Sequence, residues 1–254
     1  MRRIAAPTAG RRAPVGPADR KVEILGVAGS GKSTVARSLT SAPPFERAGF
    51  IHAREPAHLV EIVRSLPMLR TIIRDGLRRP RITWPELKLL VYVSRWDSVL
   101  SRDPRPDGTV LVFDQGPLYA LGRLEAEARS FSTRPAFRSW RDDMLARWTD
   151  RLSTVIWLDA PDQVLWRRIN ERTQGHRSKG ASEEEGIRFI RRYRRTFDVL
   201  LGDVEDLGGL RVVRLDTGGL TREDVAEAAR SAVTEGDARP SAAGTDPEIA
   251  AGDR

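Results

Sequence analysis

The segment 26–33 (GVAGSGKS) carries glycine, lysine and serine at a spacing that binds phosphate. It satisfies the pattern G-x-x-x-x-G-K-[S/T] through Gly26, Gly31, Lys32 and Ser33. Glycines let the backbone curl so that successive N–H groups point at one phosphate, and the start of a helix adds partial positive charge. An apolar run at 21–27 precedes the segment and a helical pattern at 31–41 follows it, which is the context that the pattern requires.

The same segment predicts a nucleoside triphosphate and a metal ion as ligands. Lys32 is expected beside the β- and γ-phosphates, the Ser33 hydroxyl on Mg²⁺, and Thr34 at the α-phosphate. The predicted cofactors are therefore ATP and Mg²⁺. The residues predicted to bind the nucleotide are Gly26, Ala28, Gly29, Ser30, Gly31, Lys32, Ser33 and Thr34.

A second acid that could serve the metal follows a strongly apolar stretch. The β-branched run 109–113 (TVLVF) ends at Asp114, and such a run predicts a strand that is buried on both faces. A carboxylate at the end of a strand beside the phosphate loop reaches Mg²⁺ directly or through water. Ser33 and Asp114 are the predicted metal ligands.

Short apolar runs alternate with helical patterns along the middle of the chain. Strands are predicted at 21–27, 49–52, 109–113, 153–158 and 210–215, and helices at 31–41, 57–79, 85–102, 117–128, 135–151, 161–172, 183–201 and 221–234. This alternation predicts a three-layer α/β/α fold with a five-stranded parallel sheet. Ligands of such sheets bind at the carboxyl ends of the strands.

Composition limits the remaining possibilities. The 254 residues suit one domain at 21–235, between tails at 1–20 and 236–254 that are predicted to be disordered. Cysteine is absent, which excludes disulfides, and no apolar run is long enough for a membrane span. The charged start lacks an apolar stretch behind it, so a cytoplasmic location is expected. The net charge of +8 favours small phosphate ligands, since no nucleic-acid-binding motif accompanies it.

Three further segments resemble the thymidylate kinases and deoxynucleoside kinases, a group of P-loop kinases. They are 89–121, with a long helix and a strand ending in Asp114; 54–56, with the sequence Arg-Glu-Pro; and 164–177, which resembles an arginine-bearing lid. The resemblance covers 21–235 as topology. It implies a P-loop NTPase fold and transfer of the γ-phosphoryl group of ATP to a nucleoside or nucleotide-like acceptor.

The resemblance also implies roles for individual side chains. Glu55 would be the base that takes the proton of the acceptor hydroxyl, and its place after a strand end suits that role. Arg95 would contact the acceptor. Arg168 and Arg172, four residues apart on one helix face, would stabilise the charge of the transferring phosphoryl group, with Arg177 nearby. The predicted catalytic residues are Lys32, Glu55, Arg95, Arg168 and Arg172.

One position departs from the family, because Gln115 stands where the family has arginine after Asp114. A neutral amide does not replace that charge, so the acceptor stays open. A kinase of a sugar or another non-nucleotide acceptor is one alternative, and a nucleotide-binding regulatory ATPase without a small acceptor is another. Trp96 is the tryptophan considered for stacking on an acceptor. The expected partners are ATP and a small phosphate acceptor, and a homodimer is kept open.

Overall fold

The computed structural model describes residues 20–49, 60–74 with gaps at 61, 68, 71 and 73, 82–100, 105–127, 132–171 and 181–234. Within these ranges there are five strands: β1 (Arg20–Gly26), β2 (Phe45–Arg47), β3 (Val110–Asp114), β4 (Thr154–Asp159) and β5 (Arg211–Asp216). The bounded helices are α1 (Lys32–Leu39), α2 (Trp84–Leu100), α3 (Pro117–Glu127), α4 (Pro135–Arg151), α5 (Asp162–Glu171), α6 (Glu183–Leu207) and α7 (Arg222–Thr234). The described residues between 60 and 74 are also helical.

All five strands form one parallel sheet in the order β2-β3-β1-β4-β5. The strand β1, which leads into the phosphate loop, therefore lies at the centre, between β3 and β4. Every residue of β3 is buried, as its β-branched sequence predicts. The prediction of a three-layer α/β/α fold with a five-stranded parallel sheet is confirmed.

Each face of the sheet carries its own hydrophobic core. On one face, Ile24 and Val112 pack with side chains of α1 and α7. On the other face, Leu25 and Phe113 pack with side chains of α2, α3, α4 and α6. Because side chains alternate along a strand, this pattern fixes which face each neighbouring polar residue occupies.

Several helices begin with a side chain that satisfies their free amides. Ser182 and Glu185 form a capping box at the start of α6, and Thr83 with Glu86 does the same at α2. In contrast, the N-cap of α1 is Gly31, which offers no side-chain hydrogen bond, and the first turn of α1 contains no acidic residue. The partial positive charge at the start of α1 therefore favours an external anion.

Two predicted boundaries are wrong. The second strand was expected at 49–52, but β2 ends at Arg47 and Gly49 lies outside it, while 50–52 fall outside the described residues. The helix expected at 183–201 continues to Leu207. Its interior residues Leu201 and Val204 are fully buried, so packing carries the helix past Gly202 to a C-cap at Gly208.

Parts of the predicted organisation fall on residues that the structure does not describe. Residues 1–19 of the predicted tail 1–20 and the whole predicted tail 236–254 are among them, so their disorder stays a prediction, while Arg20 begins β1. In the described part of the chain, no helix combines the length and the apolar character that crossing a membrane demands.

A pair of glycines in helices should respond oppositely to alanine. A Cβ on Gly122 of α3 would lie 2.4 Å from Cε1 of the fully buried Phe197, whereas a Cβ on Gly202 of α6 meets nothing within 4 Å. Gly202→Ala should stabilise the protein by about 0.5–1 kcal/mol through helix propensity. Gly122→Ala should destabilise it, because overpacking costs about 1–3 kcal/mol and exceeds that gain. Urea unfolding of both variants tests this, and equal stability would contradict the packing at Phe197.

Candidate active site

The phosphate loop connects β1 to α1 and depends on glycine at two turns. Gly29 and Gly31 have φ of +90° and +94°, a region that residues with a Cβ rarely adopt. Gly29 also lies against α5, where a Cβ would come within 2.7 Å of the Leu165 carbonyl oxygen. The loop therefore packs against α5 and, since it follows β1, lies with the start of α1 at the carboxyl edge of the sheet.

Lys32 is held close to this loop. It is 7% exposed, and its Nζ donates hydrogen bonds to the carbonyl oxygens of Gly26 at 2.7 Å and Val27 at 2.9 Å. Nζ also lies 5.6 Å from the ring centroid of Tyr119, which is a cation–π distance. The ammonium group thus sits at the loop, beside the first turn of α3.

The other predicted phosphate-binding residues line the same turn. Ser33 is exposed and Thr34 is half-buried in the first turn of α1, and Ala28 is half-buried in the loop. Ser30 is fully buried, and its hydroxyl has no hydrogen-bond partner within the described ranges. The eight predicted nucleotide-binding residues are therefore brought together, as their closeness in sequence requires.

Asp114 lies at the carboxyl end of β3, paired in register with Ile24 of β1. By the alternation of the strand it shares a face with Val112, which packs with α1. Its Oδ2 accepts a hydrogen bond from Nη2 of Arg47 at 2.7 Å. Its Oδ1 is buried and has no hydrogen-bond partner among the residues that the structure describes.

The side-chain oxygens of Ser33 and Asp114 are suitable ligands for a magnesium ion. Magnesium takes oxygen ligands, and it often uses only one or two protein groups while phosphates and water complete its shell. The unpartnered Oδ1 of Asp114 and the exposed hydroxyl of Ser33 are oxygens of that kind. Among the described residues no group of three or more His, Cys, Asp or Glu could hold a metal on its own. The site therefore suits a metal that arrives with phosphate.

Gln115 follows Asp114 with a φ of 67°, and no other described residue except glycine has a positive φ. This backbone conformation costs about 1–3 kcal/mol and persists only where surrounding contacts hold it. The turn between β3 and α3 is thus strained at the residue next to the predicted metal ligand.

Arg95 and Trp96 lie in the C-terminal half of α2. The guanidinium of Arg95 donates to the backbone carbonyl oxygen of Arg64. Trp96 is 3% exposed and packs 5.5 Å from the ring of Tyr92. Trp96 is therefore part of the core, and Arg95 connects α2 to the 60–74 segment; the predicted contact of Arg95 with an acceptor stays a proposal.

Arg168 lies on α5 and contacts the loop that follows β5. Its Nη1 donates to Oγ1 of Thr217 at 3.0 Å and its Nη2 to the carbonyl oxygen of Thr217 at 2.7 Å. Thr217 in turn donates to the carbonyl oxygen of Asp159 at the end of β4. Arg168 thus ties together the loops at the carboxyl ends of β4 and β5.

The remaining predicted catalytic side chains cannot be placed. Glu55 and Arg172, together with the adjacent Arg177, lie outside the residues that the structure describes. Their roles stay predictions.

The structure adds Glu23 and Arg47 to the site. Glu23 is a fully buried carboxyl on β1, whose Oε1 and Oε2 accept hydrogen bonds from the amides of Tyr119 at 2.7 Å and Leu118 at 3.0 Å. Its sequence signal was a single acid inside an apolar strand. No sequence pattern indicated Arg47. The second strand was predicted at 49–52, so Arg47 was not expected at the carboxyl end of a strand.

The buried Glu23 should make stability depend on pH. Burial raises its pKa from 4.5 to about 8, even though backbone amides of Tyr119, Leu118 and Gly116 lower it. Between these values the folded protein keeps a proton that the unfolded chain has lost, so the free energy of unfolding falls as pH rises. Relative to Glu23→Gln, wild type should lose up to roughly 3 kcal/mol between pH 5.5 and 7.5. Urea unfolding at both pH values tests this, and a constant difference would contradict it.

No model of a known protein family and no curated protein matches the chain. Its structure is similar to that of deoxyadenosine kinase from M. mycoides with bound dCTP, at a TM-score of 0.50 and 15% identity, covering 85% of this chain and 99% of that one. The same kinase with bound dATP gives a TM-score of 0.49 at 14% identity, covering 84% of this chain and 99% of that chain. The chain therefore shares the three-layer P-loop fold of a deoxynucleoside kinase.

Proposed function

We propose that the chain is an ATP-dependent small-molecule kinase that transfers the γ-phosphoryl group to a nucleoside or nucleotide-like acceptor. The observation that carries this proposal is the pairing of two features on neighbouring strands. The uncapped start of α1 with Lys32 follows β1, and Asp114 with its unpartnered Oδ1 ends β3. The shared fold with a deoxyadenosine kinase supports a nucleoside as the acceptor.

In this proposal the chain's residues bind and orient the reacting groups. The loop amides and the first turn of α1 bind the phosphates, and Lys32 turns from the carbonyl oxygens of Gly26 and Val27 to the β- and γ-phosphates. Ser33 and Asp114 would hold Mg²⁺, which would supply positive charge to the phosphate oxygens. Thr34 contacts the α-phosphate.

The transfer step needs groups on the acceptor side. An acceptor oxygen bonds to the γ-phosphorus, the bond from that phosphorus to the β–γ bridging oxygen breaks, and ADP leaves. The hydroxyl proton passes to the carboxylate of Glu55, while Arg95, Arg168 and Arg172 stabilise the acceptor and the transferring group.

An acceptor screen coupled to ADP formation tests the function. A nucleoside is expected to stimulate ADP formation more than a nucleoside monophosphate or a sugar. Glu55→Gln should slow the transfer by a factor of about 10²–10⁴ and leave ATP affinity unchanged, since it removes the base and keeps the shape. If a monophosphate is the acceptor, its oxygen is already ionised and Glu55→Gln should have little effect.

A second function is favoured by one observation. Two described arginines with predicted catalytic roles are engaged within the chain, Arg95 with the carbonyl of Arg64 and Arg168 with Thr217. A nucleotide-binding regulatory ATPase would use them in this structural way. In that case ATP binds and no acceptor of the screen changes the rate of ADP formation, which would overturn the kinase proposal.

A further inference from the structure

Glu23 is an unusual residue for the central strand of a sheet. It is fully buried on β1 between Val22 and Ile24, and burial of a carboxyl group carries a large desolvation cost unless hydrogen bonds compensate it. It faces the layer of α2 and α3, where its charge also raises the pKa of the buried Tyr92, after burial itself. An apolar side chain in its place would fill the core without that cost. The reason for a carboxyl group at this position must therefore lie in the hydrogen bonds that it makes.

The partners of Glu23 all belong to one short turn. Its carboxyl oxygens accept hydrogen bonds from the amides of Leu118 and Tyr119 and from that of Gly116. These are amides at the start of α3, which have no partner within their own helix. The approach is close, because a Cβ on Gly116 would lie 2.7 Å from Cδ of Glu23.

This turn begins and ends beside groups of the proposed ATP site. It starts at Asp114, the predicted metal ligand, and continues through Gln115, whose left-handed backbone must be held by its surroundings. It ends with Tyr119, whose ring lies 5.6 Å from Nζ of Lys32. Glu23 itself is three residues before Gly26, so one strand links its carboxyl group to the phosphate loop.

We infer that Glu23 is a positioning residue for phosphoryl transfer: its buried carboxyl group fixes the turn 114–119, and thereby sets Asp114 for the metal ion and Tyr119 against Lys32. This inference rests on the proposed function. Glu23 touches neither nucleotide nor metal. It acts through the backbone of the turn, in the manner of groups that orient metal ligands.

Binding measurements test the inference without relying on turnover. The affinity for an ATP analogue with a β–γ imido bridge is measured by calorimetry with and without Mg²⁺. Glu23→Gln places an amide nitrogen, which cannot accept, opposite a backbone donor. We expect unchanged affinity without Mg²⁺ and a loss of about 10–100-fold in the gain that Mg²⁺ gives, the usual effect of losing a group that orients a metal ligand. In the transfer assay, which contains Mg²⁺, kcat should fall and KM for ATP should rise, because the Mg²⁺ complex is the substrate and its affinity is reduced.

Two further variants separate positioning from stability. Gly116→Ala changes the same contact from the turn, because the added Cβ would clash with Cδ of Glu23. It should reproduce the loss of the Mg²⁺ effect, and it keeps the inference testable if Glu23→Gln does not fold. Glu125→Gln is the control: it makes the same chemical change on α3, in an ion pair with Arg141, and should keep the full Mg²⁺ effect. If wild type shows no Mg²⁺-dependent binding, the proposed function fails. If wild type shows it and Glu23→Gln or Gly116→Ala keeps it, the inference on Glu23 is wrong.

Discussion

Replacement of Lys32 by alanine is expected to reduce phosphoryl transfer below detection while the protein stays folded. Removing one positioned hydrogen-bond donor from a transition state costs about 10²–10³ in rate, and Lys32 contributes a full charge in addition. Among the contacts that the folded protein loses are two hydrogen bonds to the carbonyl oxygens of Gly26 and Val27 and the cation–π contact with Tyr119. At about 1 kcal/mol each, they do not decide whether the domain folds.

Single-turnover ADP formation with excess protein measures this effect, alongside circular dichroism for the fold. Lys88→Ala is the matched control, because Lys88 is also a lysine over an aromatic ring, 5.4 Å from the centroid of Trp84, but it is exposed on α2. The control should transfer at the wild-type rate. Wild-type turnover of Lys32→Ala would remove the phosphate loop from the mechanism.

The fold follows from sequence wherever a segment is buried on both faces. The runs that became β1, β3 and β4 are almost wholly buried, and their apolar pattern places each strand to within about two residues. The edge strand β2 was misplaced because only Phe45 of its three residues is buried, so it leaves almost no hydrophobic signal. The end of α6 was misplaced because Gly202 resembles a helix terminator, while the buried Leu201 and Val204 keep the helix intact.

The candidate site likewise contains residues that could be predicted from the sequence and residues that could not. The phosphate loop is local in sequence, so its residues and their chemistry could be predicted together. The hydrogen bonds of Glu23 to Leu118 and Tyr119 and the ion pair of Arg47 with Asp114 join residues that are 95, 96 and 67 positions apart. No spacing rule covers such pairs, since they depend on which strands become neighbours and on where each one ends.

The second large effect is expected at Asp114. Asparagine keeps the size of the side chain and can still accept a hydrogen bond from Arg47, but it lacks the charge that attracts a divalent cation. Asp114→Asn should therefore bind nucleotide like wild type in the absence of Mg²⁺ and lose the gain in affinity that Mg²⁺ provides. Since the metal ion neutralises charge that develops on the transferring group, the transfer rate should fall by about 10²–10³.

A loss of folding stability in Asp114→Asn would not explain the expected loss of the Mg²⁺ effect. Arg47 is 52% exposed, so leaving its guanidinium without the carboxylate has a small effect on folding. Asp107→Asn is the matched control, because Asp107 is exposed in the turn before β3, at the opposite edge of the sheet. Titration of both variants with Mg²⁺ and the imido analogue of ATP should separate them clearly. If Asp114→Asn responds to Mg²⁺ as Asp107→Asn does, the metal ligand lies elsewhere, and the unpartnered Oδ1 of Asp114 has another role.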